Sequence, residues 1–125
     1  GVAEAMRLPK DTEARKAARS DALERATRHA TEVPLRTART ATAVLLHLEV
    51  IARKGNPNAR SDAATAAQLA YAAMKGAQYN VLINVALLKD RSFADNSSGE
   101  AAELELRARH VLEAIDSLMT SGGRS

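Results

Sequence analysis

The sequence contains no cysteine and no tryptophan. Without thiols there is no disulfide framework, no thiolate nucleophile and no cysteine-based metal site. Aromatic residues are nearly absent: Tyr71, Tyr79 and Phe93 are the whole set. So few rings give no stacking platform for bases, and acids and bases alternate along the chain, so the net charge of +3 does not point to nucleic acid. No apolar run, neither the Ala41 to Leu46 stretch nor Leu69 to Met74, is long enough to cross a bilayer. No membrane or nucleic-acid partner is expected, and a cytoplasmic setting is. His29 and His47 have no persuasive set of Cys, His or acidic partners at ligand spacing, and His110 sits alone among helical acids and arginines, so no metal is expected either. There is no phosphate-binding glycine loop and no nucleophile elbow.

What the chain does have is alanine and helical periodicity. One domain of 125 residues, poor in β-branched runs, is expected to be all-α, a long-helix antiparallel bundle that dimerises. A first helix closes near residue 7 at Leu8-Pro9-Lys10, because proline disfavours helix in the residue before it. The chain opens without methionine on what reads as a helix tail, the expectation for a fragment. A second helix, capped by Asp11 or Thr12, runs over 12–54 with an inner stripe of Leu23, Ala26, Ala30, Val33, Thr37, Ala41, Leu45, Leu48 and Ala52. Pro34 lies inside it and is expected to kink or split it. Ala43, Leu46 and Val50 make the later outer face apolar as well, which predicts cover from a second subunit unless an N-terminal helix upstream covers them.

Gly55-Asn56-Pro57-Asn58 then marks a turn, with Gly55 expected at the C′ position and Ser61 or Asp62 as the next N-cap. The helix that follows, over 62–89, is the centre of the reading. On a helical wheel Asp62, Ala66, Leu69, Ala73, Gly76, Asn80, Ile83, Asn84 and Leu87 share one stripe, taken as buried, and Gln68, Tyr71, Lys75, Gln78, Leu82 and Lys89 the wet one. Polar groups on a buried stripe cost a few kcal/mol unless hydrogen-bonded. They therefore either tie helices together or serve a ligand. Asp62 and Asn80 lie about 27 Å apart along one helix, so a shared site needs an antiparallel second copy or a neighbouring helix. A loop over 90–96 and a last helix over 98–120, capped by Ser97 or Ser98 and buried through Leu104, Ala108, Val111, Ile115 and Leu118, complete the chain. The residues alone leave open whether this is an enzyme or a non-catalytic helical oligomerisation or interaction module.

RLPKDTEARKAARSDALERAT, EVPLRTA and GNPNARSDAATAAQLAYAAMKGAQYNVLINVALLKD, in that order, resemble the cyclodeaminase/cyclohydrolase family. The resemblance covers about residues 6–90. It implies an all-helical homodimer and one-carbon chemistry on a tetrahydrofolate derivative, either cyclodeamination or methenyltetrahydrofolate cyclohydrolysis, with folate as substrate and no bound cofactor. It also implies that residues 1–125 are the C-terminal two-thirds of the domain, after a Gly/Ser-rich segment and a long apolar helix. Under that resemblance Asp62 is the candidate acid/base. Asn80 and Asn84 are candidates for holding the pterin or amide groups, Asn56 is a further substrate-binding candidate, and Lys10 is the candidate for meeting the anionic tail.

Overall fold

A computed structural model describes residues 1–9 and 12–121. Every regular element among them is helical: α1 (Val2–Met6), α2 (Glu13–Lys54), α3 (Pro57–Val85) and α4 (Arg91–Thr120). No helix among the described residues is long and apolar enough to cross a membrane.

The 42-residue α2 is the spine, about 63 Å long at the α-helical rise. Thr12 starts it, its hydroxyl accepting from the Arg15 amide at 3.1 Å. The short α1 packs on α2 alone. Helix α3 returns along α2, and α4 turns back again. Arg28 meets Asp90 and Arg39 meets Glu100, so α2 and α4 run parallel. Tyr71 and Gln68 of α3 meet Glu105 and Asp116, so α3 opposes both.

Helix α2 passes through Pro34 without being split, which corrects half of the expectation at that residue. A proline in a helix removes the amide that would reach the carbonyl four residues back, here that of Ala30. The side chain of Asn84 on α3 donates to that carbonyl at 3.0 Å. The freed acceptor is therefore satisfied across the helix pair.

Two boundaries differ from the sequence reading because earlier caps win. Asn56, not Ser61 or Asp62, caps α3: its Oδ1 accepts from the Ala59 amide at 2.9 Å, and Pro57 sits at the first helical position with φ already set. Asp90, not Ser97 or Ser98, caps α4 by accepting from the Phe93 amide at 3.0 Å, so the expected 90–96 loop is helix from Arg91 onward. Both caps come several residues before those expected, and α3 ends at Val85 rather than near 89. Gly55 is also not left-handed. Its φ is −79° and its ψ 161°, open to any residue. Glycine is required there by contact: a Cβ would lie 2.7 Å from the Ile51 carbonyl oxygen and 2.8 Å from the Ala59 Cβ.

The core is built largely of alanine. Ala38, Leu45, Ala52, Ala67, Met74, Ala108 and Ile115 fill one half of the bundle, and Leu35, Val81, Leu88, Ala94 and Ala101 the other. The α4 stripe is as expected, with Ala108, Val111 and Ile115 buried and Leu104 and Leu118 half-buried. The α3 stripe is not. The face that α3 buries is Ala63, Ala67, Met74, Ala77, Val81 and Val85, rotated by one residue from the stripe read off the wheel. That stripe lies open instead, with Leu69 71 % and Ile83 64 % exposed. On α2, Val33 and Thr37 are likewise exposed. The reason is that α3 is apolar on two adjoining faces, and periodicity does not say which one its own chain covers.

Candidate functional site

The open face of α3 and the facing side of α2 form one groove. Near the Pro34 level it is a cavity of about 660 Å³ lined by Ala30, Pro34, Gly76, Asn80 and Asn84. It continues into a space of about 740 Å³ lined by Arg36, Thr40, Val44, Ala66 and Leu69. Val33, Thr37 and Ala73 line both. Small residues make the trough wide: a Cβ built on Gly76 would meet nothing within 4 Å.

The walls are apolar, with amides at one end. Asn80 is exposed and makes no hydrogen bond among the described residues, so both of its amide atoms are available to a ligand. Asn84 is half-buried and spends one N–H on Ala30, which fixes the amide plane and leaves its carbonyl oxygen free of protein donors. Arg36 on the rim carries no hydrogen bond or ion pair among the described residues. This is the architecture of a small-molecule site, a mostly apolar concavity with a few polar groups that fix orientation.

Sequence reasoning placed Asn80 and Asn84 together, and the structure brings them to the same cavity. It does not bring Asp62 there. Asp62 is exposed on α3, one turn beyond Ala66, past the far end of the groove, and the expectation that it is buried is overturned for the single chain. Nor is Asn80 buried. Asn56 stands at the α2–α3 turn, where its carbonyl oxygen is occupied as the α3 cap. Lys10 lies outside the described residues. Sequence reasoning missed Arg36 and Thr40 as rim residues, since both lie off the inner stripe assigned to α2. No local signal marked them, since they matter only through the open stripe of α3 that stands opposite. Among the described residues, no three His, Asp or Glu side chains come close enough to hold a metal ion.

Behind the groove, the ionisable groups are held in place by hydrogen bonds. The Glu24 carboxylate accepts from the Lys89 amide at 2.9 Å and the Asp90 amide at 3.0 Å, tying α2 to the α3–α4 turn. Those backbone donors hold its pKa below the ordinary glutamate value. Lys89 also reaches the Ser20 hydroxyl. Tyr71 donates to Glu105 at 2.7 Å, and Arg109 closes on the same carboxylate. Burial, then that hydrogen bond, pushes the Tyr71 phenol up to about 12, while Tyr71 and Arg109 hold Glu105 down.

The family model for formiminotransferase-cyclodeaminase matches residues 1–103. The chain is 40% identical over 108 residues to a methenyltetrahydrofolate cyclohydrolase of Methylorubrum extorquens, covering 86% of this chain and 52% of that protein. It is 40% identical over 89 residues to the formimidoyltransferase-cyclodeaminase of Sus scrofa, covering 71% of this chain and 16% of that one. Among solved structures, the formiminotetrahydrofolate cyclodeaminase of Thermotoga maritima superposes with a TM-score of 0.78 at 27% identity, over 95% of this chain and 57% of that one. The chain thus spans about half the length of the first curated relative and of this structural neighbour. The matched segment includes all of α1 to α3 and the groove between α2 and α3, and on that ground the chain belongs to the formiminotransferase-cyclodeaminase family.

Proposed function

We propose that this chain is the helical part of a tetrahydrofolate one-carbon enzyme, with the α2–α3 groove as its folate face. Methenyltetrahydrofolate cyclohydrolysis is placed first and formimidoyltetrahydrofolate cyclodeamination second. The observation that carries the reading is the cavity holding Asn80 and Asn84 inside a segment 40% identical to a cyclohydrolase over 86% of this chain. The ordering of the two reactions rests on the extent of the sequence match: 40% identity over 108 residues of the cyclohydrolase, against 89 residues of the Sus scrofa enzyme and 27% identity to the Thermotoga maritima cyclodeaminase.

The two reactions share their central chemistry. Cyclohydrolysis adds water to the methenyl carbon between N5 and N10, giving a tetrahedral centre that collapses to the formyl compound with the ring opened. Cyclodeamination attacks a formimino carbon on N5 with N10, passes through a similar tetrahedral centre and expels ammonia. Each needs one group to take a proton from the nucleophile and one to return a proton to the leaving nitrogen. An apolar trough suits the flat pterin and aminobenzoyl rings. The exposed amide of Asn80 and the free oxygen of Asn84 suit the donor and acceptor edge of a pterin.

Asp62 is the proposed acid/base, and its place supports an assembly. Two α3 helices packed antiparallel about Ala73 set position 62 of one copy opposite position 84 of the other, because the two numbers sum to twice 73. Such a pair also covers Leu69 and Ile83. Homodimerisation through this face, a cytoplasmic setting, and substrate-binding roles for Lys10, toward the anionic tail, and for Asn56 belong to the same reading.

The test is direct. The longest gene product that carries this chain is assayed for loss of methenyltetrahydrofolate and for ammonia release from formimidoyltetrahydrofolate. Turnover of the first supports the first reaction, and ammonia release the second. Absence of both, together with no folate binding, overturns the folate reading and leaves a helical interaction module.

A further inference from the structure

A second cavity lies on the other side of α2, away from the Asn80–Asn84 end of the groove. It holds about 510 Å³ between α2 and α4 and is lined by Glu32, Leu35, Arg36, Phe93, Asn96 and Ser97, with the Arg39–Glu100 pair closing it. We infer that this cavity is a binding site for a zwitterionic aromatic α-amino acid.

The argument begins at the floor. Leu35 and Ser97 are each 4% exposed. Buried hydroxyls in helices commonly bond back to the preceding turn, and Thr31 and Thr42 do so at 2.8 Å. Ser97 does not, and it has no other partner among the described residues. No fully buried side-chain oxygen or nitrogen there is left unsatisfied, so the Ser97 hydroxyl opens onto the cavity it lines. A hydrogen-bonding group at the base of a half-apolar pocket asks for a polar tip on whatever fills it.

Charge selects the other end. Arg39 and Glu100 neutralise each other through two bonds, at 2.5 and 2.7 Å. Glu32 and Arg36 remain, with no hydrogen bond or ion pair among the described residues, although Glu32 acts on Arg39 through space. One free charge of each sign gives a neutral lining. A simple anion meets Glu32 and a simple cation meets Arg36, but a zwitterion satisfies both. Positions 32 and 36 are one helical turn apart, with Cβ atoms about 5–6 Å from each other. An α-ammonium and α-carboxylate on one carbon bridge that spacing.

The wall selects an aromatic side chain. The Phe93 ring carries the Arg28 guanidinium 4.5 Å from its centroid. Arg28 is itself held by Asp90 at 3.1 Å, so the ring is fixed in place beside Leu35. A second ring packs well against such a wall, and a phenolic tip reaches toward Ser97 and Asn96.

Calorimetric titration with L-tyrosine, L-tyrosinamide and N-acetyl-L-tyrosine tests the site by binding alone, because Arg36 also borders the folate groove. L-Tyrosine binding at least about tenfold more tightly than either derivative is expected, with a similar loss in Glu32→Gln and Arg36→Gln. Ser97→Ala is expected to weaken it by about three- to tenfold. Glu32 and Arg36 are exposed, so their variants keep the test if Ser97→Ala fails to fold. Binding of the amide or the N-acetyl form as tightly as the amino acid, or no binding of L-tyrosine, overturns the proposal.

Discussion

Asn84 reaches across from α3 to donate to the carbonyl of Ala30 at 3.0 Å, the acceptor that Pro34 leaves without its helical amide. A residue read from sequence as a ligand contact is thus also the partner of a proline fifty positions away. The coupling is testable by a double-mutant cycle in chemical denaturation. Asn84→Ala is expected to cost about 1–3 kcal/mol, the scale of an orphaned half-buried acceptor. In a Pro34→Ala background, where the backbone amide returns, the same change is expected to cost much less. Equal costs in both backgrounds would show that Asn84 does not serve the Pro34 gap.

Asp62 is the sharpest test of the proposed chemistry. Asp62→Asn is expected to lower turnover by roughly 10²–10⁴-fold, the usual span of a general acid–base contribution. Because Asp62 is exposed in the chain, its fold and folate binding are expected to survive. Full activity with a lowered melting temperature would leave Asp62 a structural surface carboxylate of α3 only.

The Glu24 latch predicts acid sensitivity. Its pKa is lowered in the folded chain by the Lys89 and Asp90 amides. Its contribution to stability is therefore present above the unfolded glutamate pKa and is lost as pH falls through the folded one. Glu100, held down by Arg39, and Glu105, held down by Tyr71, act in the same direction. Melting temperature is expected to drop as pH falls below the ordinary glutamate range. Glu24→Gln is expected to melt lower at neutral pH, with the gap to wild type closing in acid. A gap independent of pH would rule the latch out.

Tyr71 gives the matching test at the alkaline end. In a Tyr79→Phe background it is the sole tyrosine. Its phenolate absorbance is expected to rise near pH 12. A raised folded pKa means that its contribution is complete below the unfolded value of about 10 and is lost as pH climbs through the folded one. Titration near 10 would show that the bond to Glu105 does not persist in solution.

The close contact at Gly55 predicts a steric penalty at an extended backbone. Gly55→Ala places a methyl 2.7 Å from the Ile51 carbonyl oxygen and is expected to destabilise by about 1–3 kcal/mol, read from urea unfolding. A neutral or stabilising result would mean that the turn relaxes freely.

Much of the fold was legible because its signals are local. Pro9 and Thr12 mark the end of α1 and the start of α2, and the stripe of Ala108, Val111 and Ile115 reports the face that α4 buries. Caps were harder. Asn56-Pro57 and Asp90 compete with serines several residues later, and the choice depends on whether Phe93 and Ala94 have somewhere to pack. The face of α3 could not be read at all, because Ala63 and Ala66 look alike on a wheel and only the position of α4 decides between them. For the same reason Asn80 and Asn84 were grouped correctly while their surroundings were not. Arg36 and Ser97 gave no local signal, since each matters through what stands opposite on another helix.

The alanine-rich core makes the bundle behave like closely stacked rods with little padding between them. Ala38, Ala52, Ala67, Ala94, Ala101 and Ala108 are all fully buried, and alanine has no rotamer with which to yield. A bulkier residue at any of them must move whole helices rather than neighbouring side chains. Because α2 and α3 form the groove with their outer sides, its width is set by spacers on their inner sides. Residues that never touch a ligand can therefore gauge what the groove admits, much as a shim sets the gap of a vise.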